Sequence, residues 1–359
     1  MTGGAMQTRV ARLYGPHDLR IETDAARPPA AGEVLLRMAA GGICGSDLHY
    51  YHDGGFGPVR VREPIISGHE ASGRVVEAGA GVDLAPGTLV AVNPSQPCGQ
   101  CEYCRRGQPI HCLDMRFIGS AMRLPHEQGM FCDLFTVPAR QVHAFPDGIG
   151  AGEAACAEPL AVCLHAVAQA RDLLGELAGL RVMVTGAGPI GLLVLAALRH
   201  AGAEDVIVTD LADAALDRAR RMGAGQAISV SGEAAGLAPL LAGKGQVDLI
   251  FDCSAAGPAL RTAFAAIRPR GVIIQVGVTG DMTIALNALV GKEITWRGSQ
   301  RFHTEFAEAV RLIGTRAIDL SPIISHSLPL ERAREAFDLA SDRSRACKVQ
   351  LTFAEGNTP

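Results

Sequence analysis

The hydrophobic positions of this 359-residue chain follow two patterns that meet near residue 180. Between residues 34 and 145, short apolar runs such as 73–77 and 88–93 are interrupted by glycine or proline every few positions. From residue 181 onward, apolar runs of strand length alternate with segments that have helical spacing. The first pattern is typical of irregular β structure, and the second predicts parallel strands joined by crossover helices.

The alternating part predicts a doubly wound α/β sheet. The expected strands are 181–185, 206–209, 227–230, 247–251, 272–276 and 293–297, and the expected helices between them are 190–200, 212–222 and 260–267. Two more helices, 302–312 and 330–340, and a last strand, 348–353, complete the pattern. We therefore expect an α/β unit inserted between a β-rich N-terminal part and a C-terminal return.

The composition indicates a folded protein of two domains that acts on small molecules. Hydrophobic residues make up 48% and charged residues 19% of the chain, as in packed globular proteins. The formal net charge of −4 lacks the basic excess that a nucleic-acid backbone requires, so no nucleic-acid partner is expected. The longest apolar stretch, 189–198, is well short of the roughly 18 residues of a bilayer span, so no membrane partner is expected either.

The N-terminus and the cysteines predict a cytoplasmic protein. Residues 1–9 lack the basic flank and apolar centre of a secretory signal. The chain has ten cysteines, and in a long cytosolic protein they are better interpreted as metal ligands, catalytic groups and core residues than as a disulfide framework.

A glycine-rich turn predicts a dinucleotide site. Gly186, Gly188 and Gly191 form a G-x-G-x-x-G sequence directly after an apolar strand, and Pro189 and Ile190 open the following helix. The glycines allow a tight turn, close approach of the backbone to a pyrophosphate and close helix packing. The positive end of the helix would hold the anion. A glycine-rich turn without a ligand is the alternative.

Asp210 indicates which dinucleotide is used. It ends the second predicted strand, 19 residues after Gly191, where a carboxylate can accept hydrogen bonds from the adenosine ribose hydroxyls. A carboxylate there repels a 2′-phosphate, and the next residue is Leu211 rather than an arginine. The sequence therefore favours NAD over NADP. A helix-capping role for Asp210 remains open.

Four closely spaced cysteines predict a structural metal site. They have the spacing C-x2-C-x2-C-x7-C, which can close a tetrahedral zinc ion with four thiolates; they are Cys98, Cys101, Cys104 and Cys112. An iron–sulfur cluster is the alternative, but the last spacing departs from the bacterial ferredoxin pattern. A zinc ion with four protein ligands has no position for a substrate and would stabilise a loop.

A second, looser set of potential ligands lies in three separate motifs. The set offers one thiolate, one imidazole and two carboxylates, contributed by Cys44, His69, Glu70 and Glu158. Together they could hold a zinc ion with one position left for water or an alcohol. Spacing alone does not bring them together, and satisfied structural roles for these residues remain open.

The order of these motifs resembles that of the zinc-dependent medium-chain dehydrogenases over essentially the whole chain. The motifs are Cys-Gly-Ser-Asp (44–47), Gly-His-Glu (68–70), the four-cysteine loop, Glu-Pro-Leu (158–160) and the glycine-rich turn. The resemblance implies a GroES-like β-barrel catalytic domain, residues 1–155 and 291–359, and a Rossmann NAD-binding domain, residues 156–290. The active site would lie in the cleft between them.

The resemblance also implies roles for individual residues. Cys44, His69 and Glu70 match the family's zinc ligands, and Glu158 matches a carboxylate that binds the metal directly or through water. Ser46 and His49 match the proton relay. On the substrate side, the resemblance indicates Arg301, while Tyr50 and Phe117 could form an apolar wall; these three could also have plain structural roles. Arg116 and Arg123 are weaker candidates for contacting a substrate carboxylate.

Residues 41–51, 93–98 and 114–122 are most similar to the branch of the family that oxidises L-idonate to 5-keto-D-gluconate. The expected activity is hydride transfer from that sugar acid to NAD, with two zinc ions per chain. Sorbitol or xylitol as substrate, a metal-free reductase of the same fold and a non-catalytic zinc-loop protein are the alternatives. Relatives are commonly dimers or tetramers, so a homo-oligomer is expected.

Overall fold

The structure, a computed structural model, describes residues 6–232, 235–278 and 280–353. Two predictions extend beyond these residues. The predicted catalytic domain has its outer limits at residues 1 and 359, and the N-terminal segment predicted to lack a secretory signal begins at residue 1. Among the helices of the described ranges, none is both long enough and apolar enough to span a bilayer.

The N-terminal part is built mainly from short strands, as the glycine-rich and proline-rich pattern predicts. Its longer strands are β1 (Met6–Leu13), β2 (Leu19–Ala26), β3 (Glu33–Gly42), β7 (Glu70–Ala78), β8 (Leu89–Val92), β11 (Leu134–Pro138) and β12 (Val142–Ala144). Its shorter strands are β4 (Gly55–Phe56), β5 (Val59–Arg60), β6 (Ile65–Ile66), β9 (Ser95–Gln96) and β10 (Arg116–Phe117). The helices are α1 (Gly45–Asp53), α2 (Glu102–Arg105), α3 (Ala151–Ala155) and α4 (Ala157–Leu174).

The second part alternates strands and helices. The elements are β13 (Arg181–Thr185), α5 (Pro189–His200), β14 (Asp205–Asp210), α6 (Asp213–Arg221), β15 (Gln226–Ser229), α7 (Ala238–Leu241), β16 (Val247–Asp252), α8 (Gly257–Ala266), β17 (Ile267–Gln275), α9 (Leu286–Gly291) and β18 (Thr295–Gly298). The chain then continues through α10 (Glu305–Gly314), β19 (Ile324–Pro329), α11 (Ala333–Ser341) and β20 (Lys348–Thr352).

The six strands β13 to β18 form one parallel sheet in the order β15-β14-β13-β16-β17-β18. This doubly wound order confirms the predicted fold class. The strand order reverses between β13 and β16, because successive strands are added on one side of β13 up to β15 and on the other side from β16 onward. In such sheets ligands bind at the carboxyl ends of the strands beside this point. The glycine-rich turn follows β13 and therefore lies there.

The C-terminal strand returns to the first part of the chain. β20 pairs antiparallel with β3, with Gln350 opposite Gly42, inside a seven-stranded sheet that also contains β7, β8, β11, β12 and β19. This pairing places Lys348, at the start of β20, beside the end of β3. The parallel sheet extends to Gly298, past residue 290, and the predicted domain limits stay predictions.

Helix α4 connects the two parts and was not predicted from the sequence. Its side chains are buried on several faces, and Leu160, Ala161 and Cys163 are wholly inaccessible to solvent. They pack in one core cluster with Phe306 of α10 and with the strands of the parallel sheet. Because Glu158 lies in the first turn of α4, this packing fixes the position of its carboxylate.

Candidate active site and metal centres

The structure brings three of the predicted catalytic ligands together. The Sγ of Cys44, a ring nitrogen of His69 and a carboxylate oxygen of Glu70 all lie within 4.8 Å of one another. Cys44 precedes α1, and His69 and Glu70 lie where the chain enters β7. A thiolate, an imidazole and a carboxylate at this separation form a donor set suited to zinc.

Charges around His69 make this point of the molecule favourable for a cation. The Nδ1 atom of His69 is 3.8 Å from the carboxylate of Asp47, which is fully buried. Burial alone would lower the pKa of His69, but attraction to Asp47 and Cys44 outweighs it and raises that pKa well above its usual value. An environment that stabilises positive charge on the ring also stabilises a metal ion beside it.

Asp47 holds two of the three ligand segments together. Its carboxylate accepts hydrogen bonds from the backbone N–H of Cys44, at 2.9 Å, and of Gly68, at 3.4 Å. Its position in the first turn of α1 makes the first of these bonds local. Asp47 belongs to the Cys-Gly-Ser-Asp motif, but the sequence did not predict that it holds the ligand segments together. Its complete burial in the structure indicates this role.

Glu70 is held by a buried lysine that the sequence did not indicate. The Nζ of Lys348 lies 2.8 and 2.6 Å from the two carboxylate oxygens of Glu70, and both side chains are almost fully buried. A Cβ on Gly42 would come within 2.1 Å of the same carboxylate, so a side chain at that position would collide with it. Burial alone would lower the pKa of Lys348, but attraction to Glu70 outweighs it and raises that pKa.

Glu158 interacts electrostatically with His69 and Glu70, but it is not one of the three grouped ligands. Its side chain is buried, and burial raises its pKa to about 7, with attraction to His69 opposing this shift and repulsion by Glu70 adding to it. The structure therefore supports a carboxyl group beside the metal position. Direct ligation by Glu158 stays a prediction.

The two predicted relay residues lie on one face of α1. Ser46 and His49 are three positions apart, a separation that places side chains on the same side of a helix. Ser46 is half-buried, whereas His49 is exposed and its Nδ1 lies 3.2 Å from the carboxylate of Asp53. Ser46, two residues after Cys44, is thus the less exposed of the two, and the relay itself stays a prediction.

The three predicted substrate residues surround the same region. The centres of the Phe117 and His69 rings are 5.6 Å apart. The Arg301 guanidinium also contacts Phe117, 4.3 Å from the centre of its ring. Arg301 follows β18 and has a φ of 50°, a left-handed conformation that is strained for a long side chain and that clusters at functional sites. The Tyr50 hydroxyl is buried and accepts the backbone N–H of Ala121 at 3.2 Å.

The two weaker arginine candidates have carboxylate partners. Arg116 makes a two-point contact with Glu127, at 2.7 and 3.1 Å, and Arg123 pairs with Asp114. These contacts are the surface ion pairs that were the alternative interpretation.

The glycine-rich turn has the geometry of a phosphate-binding loop. Gly186 has a φ of 89°, and a Cβ on Gly191 would lie 1.8 Å from the carbonyl oxygen of Gly186, so both positions require glycine. At Gly188 a Cβ would meet no atom within 4 Å, which leaves the backbone open to a ligand. Pro189 and Ile190 begin α5, whose N-terminus faces this space.

Asp210 lies at the end of β14, beside this loop. Its carboxylate accepts the backbone N–H of Ala187 at 2.6 Å and that of Ala212 at 2.9 Å. The first bond ties the carboxylate to the glycine-rich turn, and the second ties it to the chain before α6. Its contact with a ribose stays a prediction.

The four cysteines of the loop form a separate cluster. Their sulfur atoms lie within 4.8 Å of one another; the Sγ atoms of Cys98 and Cys104 are 4.0 Å apart and those of Cys101 and Cys112 are 3.9 Å apart. Tetrahedral zinc with sulfur at about 2.3 Å requires sulfur–sulfur distances of about 3.8 Å. Backbone N–H groups point at the sulfurs and lower the pKa of Cys101 to about 6, which favours the thiolate that zinc binds.

With this geometry established, comparison with known proteins defines the class of protein. Residues 30–147 match the alcohol dehydrogenase GroES-like domain, and residues 189–315 match the zinc-binding dehydrogenase family. Together with a curated relative 39% identical over 89% of the chain, these matches show that the chain belongs to the zinc-dependent medium-chain dehydrogenases. It is an NAD(P)-dependent alcohol dehydrogenase.

That relative is the L-idonate 5-dehydrogenase (NAD(P)(+)) of Escherichia coli strain K12, of which the alignment covers 92%. The crystal structure of L-idonate 5-dehydrogenase from E. coli K-12 superimposes with a TM-score of 0.91 at 36% identity, over 98% of this chain and 99% of that one. The sorbitol dehydrogenase of Pongo abelii is 34% identical over 91% of this chain and 90% of its own length. The predicted family and catalytic-domain fold are thus confirmed.

Proposed function

We propose that the protein oxidises a secondary alcohol of a sugar acid with NAD, and that L-idonate, giving 5-keto-D-gluconate, is its substrate. The observation that carries this proposal is the position of the Arg301 guanidinium, which contacts the Phe117 ring, while the Phe117 ring in turn lies beside the candidate metal ligand His69. A guanidinium recognises a carboxylate through two parallel hydrogen bonds. The similarity to L-idonate 5-dehydrogenase supports the same substrate class.

Cys44, His69 and Glu70 would hold the catalytic zinc, and Cys98, Cys101, Cys104 and Cys112 a second, structural zinc. When bound, a catalytic zinc ion lowers the pKa of an alcohol and NAD accepts hydride. Glu158 supplies a carboxyl group beside the metal position with a pKa of about 7. A group with that pKa can exchange a proton near neutral pH.

Ser46 and His49 are proposed to carry the substrate proton at the two ends of its route to the solvent, on either side of the nicotinamide ribose. Ser46 receives the proton in the half-buried interior, and His49 passes it to the solvent from the exposed part of the same helix face. The strand ends of the parallel sheet orient the dinucleotide, because its pyrophosphate would lie over Gly188 at the start of α5.

We expect Arg301→Met to raise the KM for L-idonate about 10- to 100-fold, because the variant loses a charge-assisted hydrogen bond to the substrate carboxylate. Turnover of uncharged sorbitol, measured in the same NADH absorbance assay, should change little. The exposed Arg343, replaced in the same way, is the matched control. If wild-type protein turns over sorbitol or xylitol better than L-idonate, the protein is a polyol dehydrogenase instead.

The preference for NAD is proposed on the basis of Asp210. We expect Asp210→Ser to raise the KM for NAD about tenfold and to allow use of NADP, since the carboxylate that repels a 2′-phosphate is removed. The ratio of kcat/KM values for the two cofactors measures this, with Asp213→Ser, three residues away on the exposed start of α6, as control. An unchanged ratio would leave Asp210 with only its two backbone contacts as a role.

We also propose that the protein is a homo-oligomer, a dimer or a tetramer. The strand β18 lies at the edge of the parallel sheet, and three apolar side chains in the segment that precedes it, Val278, Leu286 and Val290, are each at least 60% exposed. Exposed apolar side chains next to an open sheet edge favour association. Light scattering that gives the mass of one chain would contradict this. The cytoplasmic location stays a prediction.

A further inference from the structure

A second pocket, which we call the rim pocket, lies beside the substrate residues. It has a volume of about 180 Å³ and is formed by the chain around β5 and by the loop that follows β10. This volume is roughly six times the share of one water molecule in the liquid, which is enough for a carboxylate or a phosphate group. Its lining includes Arg60, Arg62, Ala121, Met122, Arg123 and His126.

The rim pocket shares two wall residues with the candidate active site. The backbone N–H of Ala121 donates to the hydroxyl of Tyr50 at 3.2 Å. The sulfur of Met122 lies 2.7 Å from a guanidinium nitrogen of Arg301. An anion in the pocket would therefore be separated from Tyr50 and Arg301, which are proposed to contact the substrate, only by Ala121 and Met122.

The pocket carries positive charge that no carboxylate of the described residues pairs with. Within the described ranges, no carboxylate lies within 4.0 Å of the guanidinium of Arg60 or Arg62, and Arg60 donates only to the backbone carbonyl of Asp53. Arg123, in contrast, is paired with Asp114. Two guanidinium groups that face one concave surface without a counterion favour binding of an oxyanion.

A buried histidine holds the two walls of the pocket in place. His126 is buried; its Nε2 accepts the backbone N–H of Arg62 at 2.9 Å, and its Nδ1 donates to the carbonyl of Arg123 at 2.6 Å. These two bonds require the neutral ring with its proton on Nδ1. The side chain of Glu63 accepts the backbone N–H of His126 and so is engaged within the wall.

We propose that the rim pocket is a second oxyanion subsite, in which Arg60 and Arg62 bind the carboxylate of an acidic sugar or the phosphate of a phosphorylated one. The inference rests on the proposed function only in placing this anion at the entrance to a sugar-binding cleft. Arg301 is proposed to bind the substrate carboxylate inside the cleft, whereas the rim pocket binds an anionic group that lies outside that position, farther along the ligand or before the ligand enters the cleft.

Direct binding tests this subsite independently of turnover. Titration calorimetry of the zinc-loaded enzyme with NAD, at low ionic strength, uses D-gluconate and inorganic phosphate as separate probes. We expect the double variant Arg60→Gln with Arg62→Gln to weaken binding of at least one probe about tenfold, and each single change to weaken it about threefold, as expected for charge-assisted contacts made by two exposed arginines. The exposed Arg343, replaced by glutamine, should bind as the wild type does.

The outcomes separate the two ligand sources and the two proposals. An effect on gluconate alone assigns the pocket to carboxylates, and an effect on phosphate alone assigns it to phosphorylated ligands. Wild-type protein that binds gluconate through the pocket but does not oxidise L-idonate would refute the proposed function and leave the subsite standing. Equal affinity of the double variant and the wild type, or no binding of either probe by the wild type, would overturn the subsite. The single variants preserve the test if the double variant does not fold.

Discussion

Replacing Lys348 with methionine lowers the free energy of unfolding by about 3–5 kcal/mol, the cost expected when one partner of a buried ion pair is removed. The Lys348 ammonium contacts both carboxylate oxygens of Glu70, and both side chains are at most 3% exposed. Without the lysine, Glu70 keeps a buried charge or must take up a proton. Urea unfolding of the zinc-free and zinc-loaded proteins measures the effect.

The double variant Lys348→Met with Glu70→Gln is the informative comparison. It removes both charges, so we expect it to recover part of the stability lost by the single change. Lys244→Met, at an exposed position, controls for the loss of a lysine and should change stability by less than about 0.5 kcal/mol. A single variant as stable as this control would show that the buried pair does not hold the site together.

The pH dependence of this pair has a definite sign. The pKa of Lys348 is raised in the folded protein above its unfolded value of about 10.4. Its contribution to stability is therefore fully present below pH about 10 and is lost only as the pH rises through the higher folded pKa. Across the neutral range the effect of Lys348→Met should not change.

Replacing His69 with alanine lowers kcat/KM for the alcohol by at least about a thousandfold, because a metal that stabilises the developing alkoxide contributes several kcal/mol. His69 supplies the only imidazole among the three grouped ligands. Zinc content should fall from two ions to one per chain, since the four-cysteine cluster is separate. Binding of NAD, followed by fluorescence titration, should persist.

The exposed His200 at the end of α5 provides the matched control, and its replacement by alanine should leave zinc content and turnover unchanged. A His69 variant that keeps both zinc ions and most of its activity would show that the metal chemistry does not depend on this cluster.

Local sequence patterns were sufficient to predict the parallel sheet. Its inner strands are buried and turn residues separate strands from helices, so periodicity and turn residues indicate five of the six strands to within two positions. The exception is β17, which begins at Ile267, five residues before the predicted start and at the predicted end of the preceding helix. Helix α4 was missed because its apolar residues face the core on several sides and Pro159 lies in its first turn, so it lacks the one-sided pattern of a surface helix.

The site could be predicted only where the ligands are close in sequence or form a known motif. The four cysteines fall within fifteen positions, and the structure brings their sulfurs together. Lys348 is 278 residues from Glu70, and only the pairing of β20 with β3 brings them into contact. A lysine at the start of an otherwise apolar strand was the one available signal, because an unpaired ammonium is rarely buried.

The central claim is that Cys44, His69 and Glu70 share one metal ion in addition to the ion of the four cysteines. Anomalous diffraction at the zinc absorption edge, from crystals of the zinc-loaded protein with NAD, tests it most directly. The account predicts two peaks per chain, one among the four cysteine sulfurs and one within bonding distance of the Sγ of Cys44 and a ring nitrogen of His69. A single peak, at the four cysteines alone, would contradict it.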